Sequence, residues 1–164
     1  MIATTNLTLR RLTINDAQFI FELLNTPTWK QFIGDRNINT LDDAENYILM
    51  MQKNFYDKYN LGLLSVSLKA TDESIGLCGL LKRDYLDNPD IGFAFMPGYE
   101  GRGFGYESCE AIIKDYPFDK LYATTTNENI RSQKLIERCG LTYKKDIETP
   151  EGSILRLYER IFIK

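Results

Sequence analysis

The sequence predicts a mixed α+β fold, with about four helices on the faces of one mostly antiparallel sheet of about six to seven strands. Runs with a period of two residues alternate with runs of helical period along the chain. Three of the strand-like runs follow one another across short polar turns, which is typical of an antiparallel meander. At 164 residues and 43% hydrophobic content, residues 1–164 are expected to form one domain with a sizeable core.

The first elements follow from these periods. Apolar and polar residues alternate over 7–12, which predicts a strand. Residues that favour helix starts come next, and an apolar helical face continues until Pro27 ends it. Residues 28–39 have no clear period and are expected to form a loop or a short helix. A capping-box pattern that begins at Thr40 starts a longer helix, which we expect to reach Tyr59.

The second half begins with the meander, whose strands are predicted over 61–68, 75–81 and 90–96. A helix is expected at 106–116, because Pro117 stops its apolar face. The remaining strands are expected over 121–125, 141–145 and 154–163. Between the first two, a helix is expected to start at Asn129 and to end at Gly140. Its inward-facing residues are predicted to be Ile130, Leu135, Ile136 and Cys139.

Composition excludes several classes of function. Lys and Arg number 20 against 23 Asp and Glu, so the net charge of -3 argues against non-specific binding to nucleic acid or a membrane surface. No apolar run approaches the roughly 20 residues of a membrane helix, and no signal peptide is readable. The three widely spaced cysteines favour a reduced, cytoplasmic location. Without histidine, no metal site is predicted, and acid–base chemistry must use other groups.

One glycine-rich stretch indicates a ligand site. Gly101, Gly103 and Gly105 alternate between the third meander strand and the following helix. Successive main-chain N–H groups that lead into a helix N-terminus can form an anion cradle, and Arg102 adds a permanent cation. The stretch therefore predicts a pyrophosphate-binding turn, although a tight turn without a ligand would have the same pattern.

Four segments, taken in their order and spacing, resemble the GNAT superfamily of acyl-CoA-dependent N-acyltransferases, and more narrowly its RimJ/RimL-like branch of ribosomal-protein N-terminal acetyltransferases. They are Leu7-Thr8-Leu9-Arg10, Asp90-Ile91-Gly92-Phe93-Ala94-Phe95, the turn Glu100-Gly101-Arg102-Gly103-Phe104-Gly105, and the segment from Asn129-Ile130-Arg131-Ser132 to Cys139-Gly140-Leu141.

The resemblance implies the GNAT fold and transfer of an acetyl group from acetyl-CoA to a primary amine in a ternary complex. The amine would belong to a protein N-terminus or to a small molecule. Ser132 would protonate the leaving thiolate. A carboxylate of the hairpin around Glu148 and Glu151, with Glu148 preferred, or a chain of waters would take the proton of the amine. The residues expected to hold acetyl-CoA are Phe93, Ala94, Phe95, Met96, Gly101, Arg102, Gly103, Phe104, Gly105, Asn129 and Ser132.

Two departures from the family pattern bear on the chemistry. Glu100 stands where Gln or Arg is usual, so its side chain is expected to point away from the pyrophosphate. Ile136 stands where many members carry a Tyr that protonates the CoA thiolate, so Ser132 is left as the proton donor. Asn129 and Ser132 could also be mere helix-start residues, and Glu148 a solvated loop charge.

A domain that binds CoA without turnover, or an interaction domain that keeps the fold, is therefore the second hypothesis. The oligomeric state, monomer or homodimer, is left open by the sequence.

Overall fold

The computed structural model describes residues 1–163, and one mixed sheet organises them. The strands lie in the order β1-β2-β3-β4-β5-β6-β8-β7, and every neighbouring pair is antiparallel except β5 with β6. Their bounds are β1 Ile2–Ala3, β2 Leu7–Arg11, β3 Gly62–Leu68, β4 Ser74–Leu81, β5 Asp90–Phe95, β6 Lys120–Thr125, β7 Thr142–Glu148 and β8 Ile154–Ile161.

The predicted fold class is confirmed. The unexpected strand β1 has two residues, too few for any period to be visible. The prediction of one domain over 1–164 stays a prediction, and its last residue, Lys164, lies outside the described residues.

The helices cover both faces of the sheet. A 3-10 turn, Ile14–Asp16, precedes α1, and a π-helical turn, Gln52–Tyr56, separates α3 from α4. The bounds are α1 Ala17–Leu24, α2 Pro27–Phe32, α3 Leu41–Met51, α4 Asp57–Tyr59, α5 Phe104–Lys114 and α6 Ile130–Arg138. None of these helices has the length and apolar character to cross a membrane, as far as residues 1–163 show.

Two helix starts show how local chemistry sets the boundaries. The capping box at Thr40 is formed. The Thr40 hydroxyl accepts a hydrogen bond from the main-chain N–H of Asp43 at 3.1 Å, and the main-chain N–H of Thr40 donates to the Asp43 carboxylate at 3.0 Å. Pro27, in contrast, does not end the first helix as predicted. It is the first residue of α2, capped by the Thr26 hydroxyl, because proline fits the first helical position, where no N–H is required.

The core has two main parts, one on each face of the sheet. Helices α1, α2 and α3 pack on one face with Leu63, Leu77 and Leu81. Helices α5 and α6 pack on the other face with Ile91 and Leu121. Successive side chains of a strand point to opposite faces, so each strand supplies both parts of the core.

Ile130 was expected to face inward, and that prediction is wrong. Its side chain is 53% exposed, because Ile130 is the first residue of α6 and the helix buries its later turns through Ile136 and Cys139.

The sheet divides between β5 and β6, which form a single parallel register pair, Asp90 with Tyr122. By comparison, β5 keeps six register pairs with β4, and β6 keeps six with β8. Beyond Asp90 and Tyr122 the two strands separate toward their C-terminal ends. We call this opening the fork, and it leaves one edge of β5 unpaired inside the sheet.

Candidate active site

The glycine turn lies at the end of β5 and leads directly into α5. Gly103 precedes the helix with φ +88°, and Gly101 has φ +71°. Both values belong to the left-handed region that favours glycine. No atom lies within 4 Å of the place where a Cβ would stand at either residue, so the turn faces open space. Helix α5 starts at Phe104, two residues earlier than predicted, which places Gly105 in its first turn.

The turn presents a row of free main-chain N–H groups. Over residues 101–105 no main-chain N–H donates a hydrogen bond to another described residue. The first internal donor after the turn is Glu107, whose N–H bonds the carbonyl of Gly103 at 3.0 Å. Free amides at the positive end of a helix dipole attract anions, so the geometry fits a phosphate or pyrophosphate group.

Side chains around the turn leave it electropositive. The guanidinium of Arg102 lies 5.4 Å from the ring centre of Tyr99 and 5.2 Å from that of Phe104. The carboxylate of Glu100, the unusual residue of the motif, forms an ion pair with Arg131 in the first turn of α6. Its charge is compensated there, and the same ion pair links the glycine turn to α6.

A second carboxylate near the turn, Glu107, is also held in place. It accepts hydrogen bonds from the Thr4 hydroxyl at 2.6 Å and from the main-chain N–H of Asn6 at 2.7 Å. Partial burial alone would raise the pKa of Glu107, but these hydrogen bonds hold that pKa below its ordinary value. The carboxylate therefore joins the segment between β1 and β2 to α5.

The fork exposes alternate residues of β5. Met96 donates its main-chain N–H to Ile75 of the β4 side at 2.8 Å, and Ala94 pairs with Leu77 in the same register. In an antiparallel ladder the next residue points its N–H and C=O the other way. Phe93 and Phe95 therefore direct their main-chain groups into the fork, where an amide-containing arm could add as a strand. Of the four predicted strand residues, Ala94 and Met96 have their main-chain groups on the β4 side.

Helix α6 begins beside the glycine turn. The side-chain oxygen of Asn129 accepts the main-chain N–H of Ser132 at 3.2 Å, so Asn129 is a helix cap. The hydroxyl of Ser132 is half-buried and has no hydrogen-bond partner within residues 1–163. A Cβ on Gly105 would lie 2.8 Å from Leu135, which shows how closely α5 and α6 pack. Ile136 is buried in the core and offers no acid at the family's Tyr position.

Sequence reasoning missed two polar groups at the fork. The hydroxyl of Thr126, which follows β6, is buried without a hydrogen-bond partner, and such an atom indicates a place for a polar ligand or a water. Asp90, at the base of the fork, is 2% exposed and contacts Arg83 Nε at 3.3 Å. Its burial raises its pKa despite that cation. Asp90 follows Pro89 in a turn-like stretch, so its sequence context signals no buried carboxylate.

Glu148 stands apart from these groups. It is the last residue of the edge strand β7, opposite Ile154, and its side chain is exposed. Because β8 lies between β7 and β6, two strand spacings, or about 10 Å, separate it from the line of β6. The structure thus brings together the glycine turn, the edge of β5, Asn129 and Ser132, but not Glu148.

Comparison with known proteins identifies the family. A family model described as an acetyltransferase (GNAT) domain matches residues 6–142. The chain belongs to the GNAT acetyltransferases. The resemblance stated from the motifs is therefore confirmed, and so is the expectation of an acyltransferase enzyme.

Individual relatives agree with this assignment. The GNAT chain is 26% identical over 166 residues to the uncharacterized N-acetyltransferase p20 of Bacillus licheniformis, covering 94% of this chain and 91% of that protein. Among solved structures, the microcin C7 self-immunity acetyltransferase MccE, in complex with acetyl-CoA and AMP, matches with a TM-score of 0.83 at 14% identity. That match covers 97% of this chain and 94% of MccE.

RimL, the ribosomal L7/L12 α-N-protein acetyltransferase in complex with coenzyme A, matches with a TM-score of 0.79 at 15% identity. The match covers 96% of this chain and 95% of RimL. At these identities the two solved structures show a shared fold. The family model is what establishes this GNAT chain as an N-acetyltransferase.

Proposed function

We propose that this GNAT protein binds acetyl-CoA on the face of α5 and α6. The acetyl group is then transferred directly, in a ternary complex, to a primary amine that enters the fork. The observation that carries the proposal is the run of free amides at 101–105, which the Glu100–Arg131 ion pair joins to the helix that bears Ser132. A place in the RimJ/RimL-like branch is part of the proposal and is supported by the motifs of the first strand and of β5.

Each group has a distinct task. The amides of 101–105 and the guanidinium of Arg102 bind the pyrophosphate. Phe93 and Phe95 pair their main chain with the pantetheine arm, and one of their N–H groups polarises the thioester carbonyl. The nitrogen of the neutral amine attacks that carbonyl carbon, a C–N bond forms and the C–S bond breaks. Ser132 gives its hydroxyl proton to the departing thiolate, directly or through water, and recovers a proton from the nitrogen as the amide forms.

The proposal is tested by incubating the protein with acetyl-CoA and pooled primary amines while free thiol is titrated. We expect thiol release that depends on the amine, with one acetyl-amine formed for each thiol. Tight binding of CoA without thiol release on any amine would instead support a CoA-binding module, and no binding at all would contradict both readings.

Asn129 offers a test that separates capping from ligand binding. Because serine also caps helices, Asn129→Ser is expected to keep the stability of α6, whereas Asn129→Ala loses about 1 kcal/mol of unfolding free energy. If the Asn129 amide group contacts the pantetheine arm, both variants weaken acetyl-CoA affinity by several-fold. Thermal unfolding and calorimetric titration provide the two measurements. Normal affinity in the stable Ser variant would restrict Asn129 to its capping role.

Glu148 is proposed as the base that accepts the proton of the amine, through water because of its distance from the fork. Glu148→Gln is then expected to lower kcat/KM by at least about tenfold near neutral pH and to remove the acidic limb of the pH–rate profile. Glu110→Gln, which neutralises an exposed carboxylate on α5, serves as the charge-matched control. A pH–rate profile shared by wild type and the Glu148 variant would assign the proton transfer to another group.

A further inference from the structure

One hydroxyl at the fork is buried and has no hydrogen-bond partner. Within residues 1–163 two buried side-chain polar atoms lack such a partner, Trp29 Nε1 and Thr126 Oγ1. Trp29 lies in α2, inside the core on the face away from α5 and α6. Thr126 instead follows β6 directly, three residues before Asn129 at the start of α6. Because an unsatisfied buried polar group costs unfolding free energy, such a hydroxyl indicates a ligand or a water that completes it.

The main chain around Thr126 is, in contrast, well bonded. The Thr126 carbonyl accepts hydrogen bonds from Nε2 of Gln133 at 3.0 Å and from the main-chain N–H of Asn129 at 3.3 Å. The same Nε2 donates to the carbonyl of Asn127 at 3.0 Å. The side-chain oxygen of Asn127 accepts a hydrogen bond from Arg156 of β8 at 3.3 Å. The segment is thus fixed from both α6 and β8, so the free hydroxyl does not result from a lack of local contacts.

The register of the sheet places Thr126 across the fork from the free edge of β5. Asp90 and Tyr122 form the one register pair between β5 and β6, and β6 ends just before Thr126. Thr126 lies four residues beyond Tyr122, and Ala94 lies four residues beyond Asp90. At about 3.3 Å per residue, both stand roughly 13 Å from the pair along their strands. Thr126 is therefore level with the part of β5 that turns alternate main-chain groups into the fork.

The two walls of the fork meet different substrates in the proposed reaction. The pantetheine arm adds along the edge of β5, so the end of β6 forms the opposite wall, on the side left for the amine. A hydroxyl on that wall can accept hydrogen bonds through two lone pairs, and it rotates to suit its ligand. A primary amine supplies N–H donors, so the chemistry of the two groups is complementary.

We infer that the hydroxyl of Thr126 binds the acceptor amine. It accepts one N–H of the amine and so holds the nitrogen with its lone pair directed at the thioester carbon. The inference rests on the proposed function, since it names a group that binds the second substrate of the same reaction. Orienting the nucleophile before attack lowers the entropic part of the barrier, and the bound amine satisfies a hydroxyl that the rest of the chain leaves unpaired.

Thr126→Val tests the inference, because valine has nearly the shape of threonine but no hydroxyl. The variant is expected to be at least as stable as wild type in thermal unfolding, since an unpaired buried polar group is removed. In the same variant kcat/KM for the amine should fall about tenfold, while acetyl-CoA affinity stays within twofold of wild type. Ethanolamine, putrescine and the tripeptide amide Ser-Ala-Ala serve as acceptors. Thiol release gives the rates, and calorimetric titration gives the affinity.

Two further variants complete the test. Thr126→Ser keeps the hydroxyl and should recover most of the lost rate. Thr142→Val makes the same chemical change on the exposed edge strand β7 and should alter neither rate nor affinity.

Three results overturn the inference and leave the proposed function standing. The first is a wild-type kcat/KM in the Thr126→Val protein. The second is a loss of stability in that protein, which would mean that the hydroxyl holds a water for structural reasons only. The third is a loss of acetyl-CoA affinity, which would assign the hydroxyl to the cofactor. Absence of thiol release from the wild-type protein with every acceptor overturns the proposed function, and the inference with it.

Discussion

Gly103→Asp is expected to weaken acetyl-CoA binding by about 10- to 100-fold, equivalent to about 1.4–2.8 kcal/mol. Two causes act together. A carboxylate at this position repels the pyrophosphate, and a side chain at φ +88° disturbs the backbone that aims the free amides. The space around Gly103 is open, so the folded structure has room for the new side chain. Calorimetric titration with CoA measures the loss directly.

Gly152→Asp is the matched control for this variant. Gly152 also has φ +88° and open space around it, but it lies in the turn between β7 and β8, away from the glycine turn. The control should carry the same backbone strain and the same added charge while its affinity for CoA stays at the wild-type value. If both variants bound CoA equally well, residues 101–105 would not be the pyrophosphate site.

Ser132→Ala is expected to lower kcat by about 100-fold and to leave acetyl-CoA affinity within twofold of wild type. The hydroxyl is the group removed, and it has no partner in the rest of the described chain. The one hydrogen bond that Ser132 donates uses its main-chain N–H, which alanine keeps, so the cap at Asn129 survives. Steady-state rates and equilibrium titration separate the two effects.

Ser132→Thr provides the conservative comparison, because it keeps a hydroxyl at the same position and should recover much of the lost rate. Solvent water can also protonate a thiolate. A wild-type kcat in the alanine variant would therefore show that water, or another side chain, is the acid, while the assignment of the glycine turn would be unaffected.

The meander shows how far local pattern determines this fold. Strands predicted over 61–68, 75–81 and 90–96 are found at Gly62–Leu68, Ser74–Leu81 and Asp90–Phe95. Their period of two residues is a local property, set by which face of each strand is buried. Pro27 was misassigned because proline both stops a helix and favours the first position of the next one, and only packing distinguishes the two cases.

The sequence by itself determined most strands and helices, the acetyltransferase family and the glycine turn, because each is visible in local patterns or in the order and spacing of short motifs. Tertiary structure alone decided the rest. The fork, the ion pair between Glu100 and Arg131 and the burial of Asp90 depend on residues far apart in sequence. The burial of a side chain, the charge around it and its lack of a hydrogen-bond partner all depend on which residues the fold brings together. They therefore cannot be read from any single stretch of the sequence.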